Sequence, residues 1–281
     1  MRLVVAATVL ALVAGAPASL PAQAQAKRSW RPDVGAARSF VAQRAGVVSF
    51  AVRTRRRLWG HRAGQGALSV SVVKAMLMVA YLRHHRVRAR KLRDSDRRLL
   101  RPMVRWSNDA TAYQVWRYVG HGGGLRRVAR RARMRRFWPG APWWRSRIDA
   151  ADQTRLFLRI DRLIPRRHRR YGMKLLNRIV PSQRWGIARV RPRGWTLFFK
   201  GGWGSGSGAL DHQVALLRRG RRRVAVAILT RGNPSHAYAK DTLRGVARRL
   251  LRGLAIRRRR SRHSIAPADT STSTAVPSTT R

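Results

Sequence analysis

The residues most able to do chemistry stand at positions 71 to 74, where Ser71-Val72-Val73-Lys74 heads the apolar run Val72 to Leu82. On a helix, side chains three apart share a face, so a hydroxyl and an amine would sit together in an otherwise oily element. That is a nucleophile beside a base. Burial and neighbouring cations both disfavour an ammonium, and the chain carries 63 Lys and Arg against 10 acidic residues, so its sequence favours a neutral Lys74. Backbone N–H groups at a helix start also suit the negative charge that develops in acyl transfer.

What must position such a pair is a chain of 281 residues with 44% hydrophobic composition, enough for a real core in one large or two small domains. With no cysteine, thiol catalysis and Cys-based metal sites are excluded. Formal net charge is +53, and 57 of the basic residues are Arg. Either the surface is built to contact polyanions such as nucleic acid or anionic wall polymers, or a compositional bias has turned Lys into Arg; bias leaves the shortage of acids unexplained. All ten acids are Asp, and Glu is absent.

Residues 1 to 26 read as a secretory signal, with Arg2, the apolar stretch Leu3 to Ala14 and the small-x-small site Ala24-Gln25-Ala26. This points to a secreted, periplasmic or wall-associated protein with no membrane span once the signal is cleaved. At the other end, residues 257 to 281 run from four arginines into Ser, Thr and Pro, a composition expected to be disordered. The folded domain is therefore expected within 27 to 256.

Along that domain the patterns predict a helix over Pro32 to Arg44 and a hairpin from Val47 to Thr54 with Leu58-Trp59-Gly60. A loop over Gly64 to Leu68 then delivers Ser71 to a buried helix. A helical lobe of about 84 to 190 follows. Within it, Lys91 to Tyr118 is helical around the polar break Trp106 to Asp109, and His121 to Gly124 reads as a turn. Further helices are expected over Leu125 to Met134, Asp149 to Ile164 and Met173 to Val180. Phe137 to Trp144 is a loop, because its two prolines exclude regular helix. Three strands, Gly194 to Lys200, Gln213 to Leu217 and Arg223 to Thr230, precede a helix from Ser235 to Leu254. The fold class is α+β, a three-layer α/β/α sandwich. Both chain ends supply its antiparallel sheet, from about 47–64 and 194–231, with an all-helical lobe inserted between.

Three stretches thus occur in order: Ser71-Val72-Val73-Lys74 opening a buried helix, Ser107-Asn108-Asp109 in a break of the helical lobe, and Lys200-Gly201-Gly202 ending a strand. Together they resemble the penicillin-recognising serine hydrolases, closest to class A β-lactamase-like proteins, over roughly residues 32 to 255. The resemblance implies that Ser71 attacks a β-lactam or a D-alanyl peptide of peptidoglycan while Lys74 takes its proton. It makes Ser107 the relay to the leaving nitrogen and Lys200 the holder of a ligand carboxylate. Asp109, Gly201 and Gly202 would line the substrate, and the N–H groups of Ser71 and Trp203 would form the oxyanion hole. No cofactor or metal is called for, and a monomer is expected.

Three departures from the family pattern bear on activity. Asn and Asp are exchanged in the middle motif, so Asp109 stands where an amide would donate to substrate; as a carboxylate it can hold Lys74 but cannot donate. The other register, which pairs Asn108 with that amide, would put Trp106 in place of the serine. Gly201 replaces a hydroxyl residue. Most telling, the family frees its acyl-enzyme with a Glu-activated water, and the corresponding region, about Arg135 to Asp152, offers only Asp149 and Asp152. Acylation with slow deacylation is the expectation.

A nucleophile-elbow hydrolase is disfavoured because Ser205 and Ser207 fail the G-x-S-x-G pattern, and His212 beside Asp211 reads as structural. His84 and His85, adjacent on a helix, cannot ligate one ion from a common face. The rival of another class is a degenerate, non-catalytic member of the fold that binds wall polymers or nucleic acid through its arginines.

Overall fold

The computed structural model describes residues 30–204 and 208–254, and the elements below belong to the compact unit that begins at Pro32. The expected signal, the tail, Ser205 and Ser207 lie outside the described residues.

Helix α1, Val34–Ala42, starts where the Asp33 carboxylate accepts the Ala36 N–H at 2.9 Å. Strands β1, Val47–Arg53, and β2, Leu58–His61, form the expected hairpin. Ala67–Leu68, expected as loop, is instead a two-residue strand, β3; its partner β4, Arg147–Ile148, lies far along the chain. A 3-10 turn over Val70–Val73 leads into α2, Lys74–Arg83, whose residues are buried as far as Leu82. Short α3, His85–Arg88, follows a break at His84, so the two histidines flank a junction rather than sharing one helix.

The lobe continues with α4, Asp94–Arg105, and α5, Asp109–Tyr118, separated at the predicted polar break. Helix α6, His121–Ala132, already includes His121 to Gly124, which the sequence reads as a turn. The turn is one residue earlier, at Gly120, whose φ of +77° suits glycine. Gly124 is then needed inside the helix, where a Cβ would lie 2.5 Å from the Val119 carbonyl oxygen. Next come α7, Ala150–Leu163, capped by Asp149, and α8, Arg169–Asn177. Helix α8 begins before the expected Met173, because its buried face includes Gly172, Leu175 and Leu176.

Strands β5, Thr196–Gly204, β6, Leu210–Arg219, and β7, Arg222–Arg231, complete an antiparallel sheet in the order β2-β1-β7-β6-β5. Strand β5 runs four residues past Lys200, so the lysine lies inside a strand rather than at its end. Helix α9, His236–Leu250, has Ser235 as its cap, the hydroxyl accepting the Tyr238 N–H at 3.1 Å.

Odd and even residues alike are buried along β1, β6 and β7, which requires cover on both faces. Helix α7 covers one face across β1, β7 and β6; α9, with α1 against it, lies over β6 and β7. The fold is therefore α+β, helices on both sides of an antiparallel sheet. An Arg223 fork on β7 meets Asp161 on α7 at 2.6 and 2.8 Å and ties helix to sheet. Among the described residues, no helix is long and apolar enough to cross a membrane.

Candidate active site

The site begins with a strained backbone. Val70, β-branched, has a φ of +38°, and the 3-10 turn it opens carries Ser71. Lys74 follows directly as the first residue of α2, and its Nζ bonds to Ser107 and Asp109 rather than to the Ser71 hydroxyl. The strand edge of β5 closes on this turn. At Gly202 a Cβ would sit 2.8 Å from the backbone nitrogens of both Ser71 and Val72, so only glycine lets the edge come this near.

The α4–α5 junction supplies the next group. Asn108 turns its side chain back to cap α5, accepting the Thr111 N–H at 2.9 Å, and Ser107 just before it is held at a φ of +61°. The Ser107 hydroxyl lies 3.3 Å from Lys74 Nζ and 3.0 Å from Lys200 Nζ. One hydroxyl thus bridges two fully buried amines from separate elements. Lys74 also donates to the Ser107 carbonyl and to Asp109 Oδ1, the latter at 2.5 Å. Lys200 donates to the Gly201 carbonyl at 2.7 Å.

Burial pushes Lys74 down to about 8, while the hydrogen bond and charge of Asp109 oppose that fall. A neutral amine has two N–H groups and one lone pair; with the Ser107 carbonyl and Asp109 taking the N–H groups, the lone pair is left to accept a proton. Lys200 is driven well below the ordinary lysine value, first by burial and then by the charge of Lys74, with Asp109 opposing.

The structure thus brings Lys74, Ser107, Asp109 and Lys200 together, and sets the backbone of Ser71 against Gly202. In the middle motif Ser107 faces the two lysines, while Trp106 is exposed and Asn108 caps α5.

Sequence reasoning missed two indoles. The Trp143 ring lies 4.7 Å from Lys74 Nζ, so the loop before α7 presents an aromatic face to the amine. Of the nearby acids, Asp149 caps α7 through Oδ1, which accepts the Asp152 N–H at 2.7 Å, and leaves its buried Oδ2 without a hydrogen-bond partner; Asp152 accepts the N–H groups of Arg135 and Arg136, both at 2.6 Å. Trp185 accounts for Gly201, since a Cβ there would stand 3.3 Å from its ring, in the space a hydroxyl-bearing side chain needs. Nothing in the residue types near Lys74 or Gly201 signals either contact.

His212 plays the structural part expected of it. Fully buried, it is held near a pKa of about 4 by desolvation; Nε2 lies 3.0 Å from the Leu68 carbonyl, and Nδ1 accepts the Thr230 N–H at 3.2 Å. It pins β3, and hence the turn bearing Ser71, to the sheet. Asp211 pairs instead with His236, at 2.5 Å. Among the described residues there is no group of three His, Cys, Asp or Glu able to hold a metal ion.

A profile described as "Beta-lactamase enzyme family" matches residues 87–254, a span that includes Ser107 and Lys200 but starts after Lys74. No curated protein matches the chain. Among solved structures, a beta-lactamase from Sphaerobacter thermophilus aligns at a TM-score of 0.65 and 18% identity, covering 78% of this chain and 95% of that one. A beta-lactamase from Xanthomonas campestris gives 0.65 and 15%, covering 76% and 94%. An ancestral class A beta-lactamase gives 0.64 and 16%, covering 78% and 98%. At such identities the likeness is one of fold.

Proposed function

The chain belongs to the beta-lactamase enzyme family, and on that premise we propose that it is an exported serine hydrolase that opens β-lactams or D-alanyl peptides through an acyl-enzyme on Ser71. The observation that carries the reading is the Ser107 hydroxyl within reach of both Lys74 and Lys200, three residues from three separate segments converging beside the turn that holds Ser71.

In this reading the Lys74 lone pair takes the Ser71 proton as the oxygen attacks the carbonyl carbon. The oxyanion is met by the N–H groups of Ser71 and Trp203, which the approach of Gly202 to the nucleophile's turn holds close together. The proton then passes through Ser107 to the leaving nitrogen. Lys200, fully buried, acts on a ligand carboxylate by charge through the Ser107 hydroxyl, and the incoming anion favours its protonated form.

Deacylation is slow, because the loop before α7 turns Trp143 rather than a carboxylate toward Lys74 and no Glu exists to activate water. The leader at residues 1 to 26 would carry the chain out of the cytoplasm.

Fluorescent penicillin tests the reading. Covalent labelling that survives denaturing electrophoresis and vanishes in Ser71→Ala supports it. Absence of labelling, with salt-sensitive polyanion binding as the sole activity, supports the non-catalytic alternative.

A further inference from the structure

On the helical lobe, away from the lysine pair, lies a cavity of about 530 Å³, the size of a small-molecule site. Arg83, Arg88, Arg117, Arg127 and Arg131 line it together with His84, and its lining includes no carboxylate. The arginines come from α2, α3, α5 and α6, so the fold, not a local run of sequence, gathers them.

Two of the forks are already oriented by backbone: Arg83 donates to the Leu163 carbonyl at 2.7 Å and Arg127 to the Val119 carbonyl at 2.9 Å. Asp96, beyond Tyr81, does not line the cavity, and its charge is paired with Arg90 at 2.6 Å. The His84 ring packs against Tyr118, tilted by 52° with centroids 4.6 Å apart, and its Nδ1 is buried without a hydrogen-bond partner. A concave surface with five guanidiniums and no acid lacks an anion.

We propose that this cavity binds a compact oligophosphate, with the arginine forks taking phosphoryl oxygens and the His84 ring forming part of the wall. Guanidinium forks match the oxygens of a phosphoryl group two at a time, and a small anion of high charge neutralises clustered guanidiniums better than a single carboxylate. The size of the cavity suits a small molecule rather than a polymer strand.

Because the chain is cationic throughout, the test must separate this site from diffuse attraction. Inorganic tripolyphosphate is titrated calorimetrically at physiological ionic strength into three full-length proteins. These are the unaltered chain, a triple variant of exposed cavity residues (Arg88→Gln, Arg117→Gln, Arg131→Gln), and a charge-matched control in the β1–β2 turn (Arg55→Gln, Arg56→Gln, Arg57→Gln). All six positions are exposed, and circular dichroism checks the fold. The cavity variant is expected to bind about tenfold more weakly or worse, and the control within about twofold of the unaltered chain. The His84 ring resonances are expected to shift on titration. Equal weakening in both variants, or His84 resonances that stay put, would overturn the proposal. Penicillin labelling should be the same in all three proteins, which keeps this test independent of the hydrolase reading.

Discussion

Lys74 and Asp109 form an ion pair whose members occupy opposite extremes of exposure: the amine is 0% exposed and the carboxylate 77%, with 2.5 Å between them. Water screens the acid but not the base, so Asp109 offsets only part of the cost of burying the ammonium. The result is an amine held down to about 8, close enough to neutrality to act as a base.

Acylation should follow from that pair. The base must be neutral, so the acylation rate should rise with pH and level off above about 8. Asp109 opposes the fall of the Lys74 pKa, so Asp109→Asn should move the inflection to lower pH. Stopped-flow acylation by a chromogenic cephalosporin across pH reads both. A flat profile, or an inflection that moves upward, would remove Lys74 from the role of base.

The approach of β5 to the turn bearing Ser71 gives a second expectation. A methyl at Gly202 must displace the backbone of Ser71 and Val72, which it would meet at 2.8 Å, and misplacing reacting groups by even about 1 Å can cost on the order of a hundredfold. Gly202→Ala should therefore acylate about a hundredfold more slowly while remaining folded by circular dichroism. Unimpaired acylation would mean that the strand edge takes no part in the oxyanion hole.

Much of this site was legible because its partners are close in sequence or carried by strong periodicity. Ser71 and Lys74 announce themselves by spacing, and the buried strands by runs such as Val224 to Leu229. Contacts made across the fold left no such trace. Trp143 reaches Lys74 from a loop tethered by β4 pairing with β3, and Trp185 reaches Gly201 from the position just before the 3-10 segment Gly186–Val190, which packs on α9. The helical reading of His121 to Gly124 was hidden for another reason: glycine propensity opposes a helix, and only packing against Val119 and the turn at Gly120 override it.

With so few acids, several carry structural weight. Asp161 and Arg223 are both nearly buried, and removing one leaves the other uncompensated, so Asp161→Ala should cost about 3 kcal/mol or more in denaturant unfolding. A loss below about 1 kcal/mol would show that water reaches the pair.

Acid sensitivity has a defined sign at two positions. Hydrogen bonds from Arg90, Tyr81 and the Arg93 backbone outweigh burial and hold Asp96 down at about 2, so its contribution is present above about 4 and lost as pH falls toward 2. Asp149 runs the other way: burial raises it to about 6, so the native state loses stability as pH rises from about 4 to 6. Asp149→Asn, which keeps a capping oxygen, should gain on the unaltered chain over that window and hold the gain above it. Urea midpoints measured across pH check both, and an Asp149→Asn difference independent of pH would contradict the second.

The most direct test is intact mass followed over time after mixing with benzylpenicillin. The expected result is one adduct per chain, persisting long after free ligand is removed and absent from Ser71→Ala. No adduct on the unaltered protein, or an equal adduct on Ser71→Ala, would contradict a Ser71 acyl-enzyme.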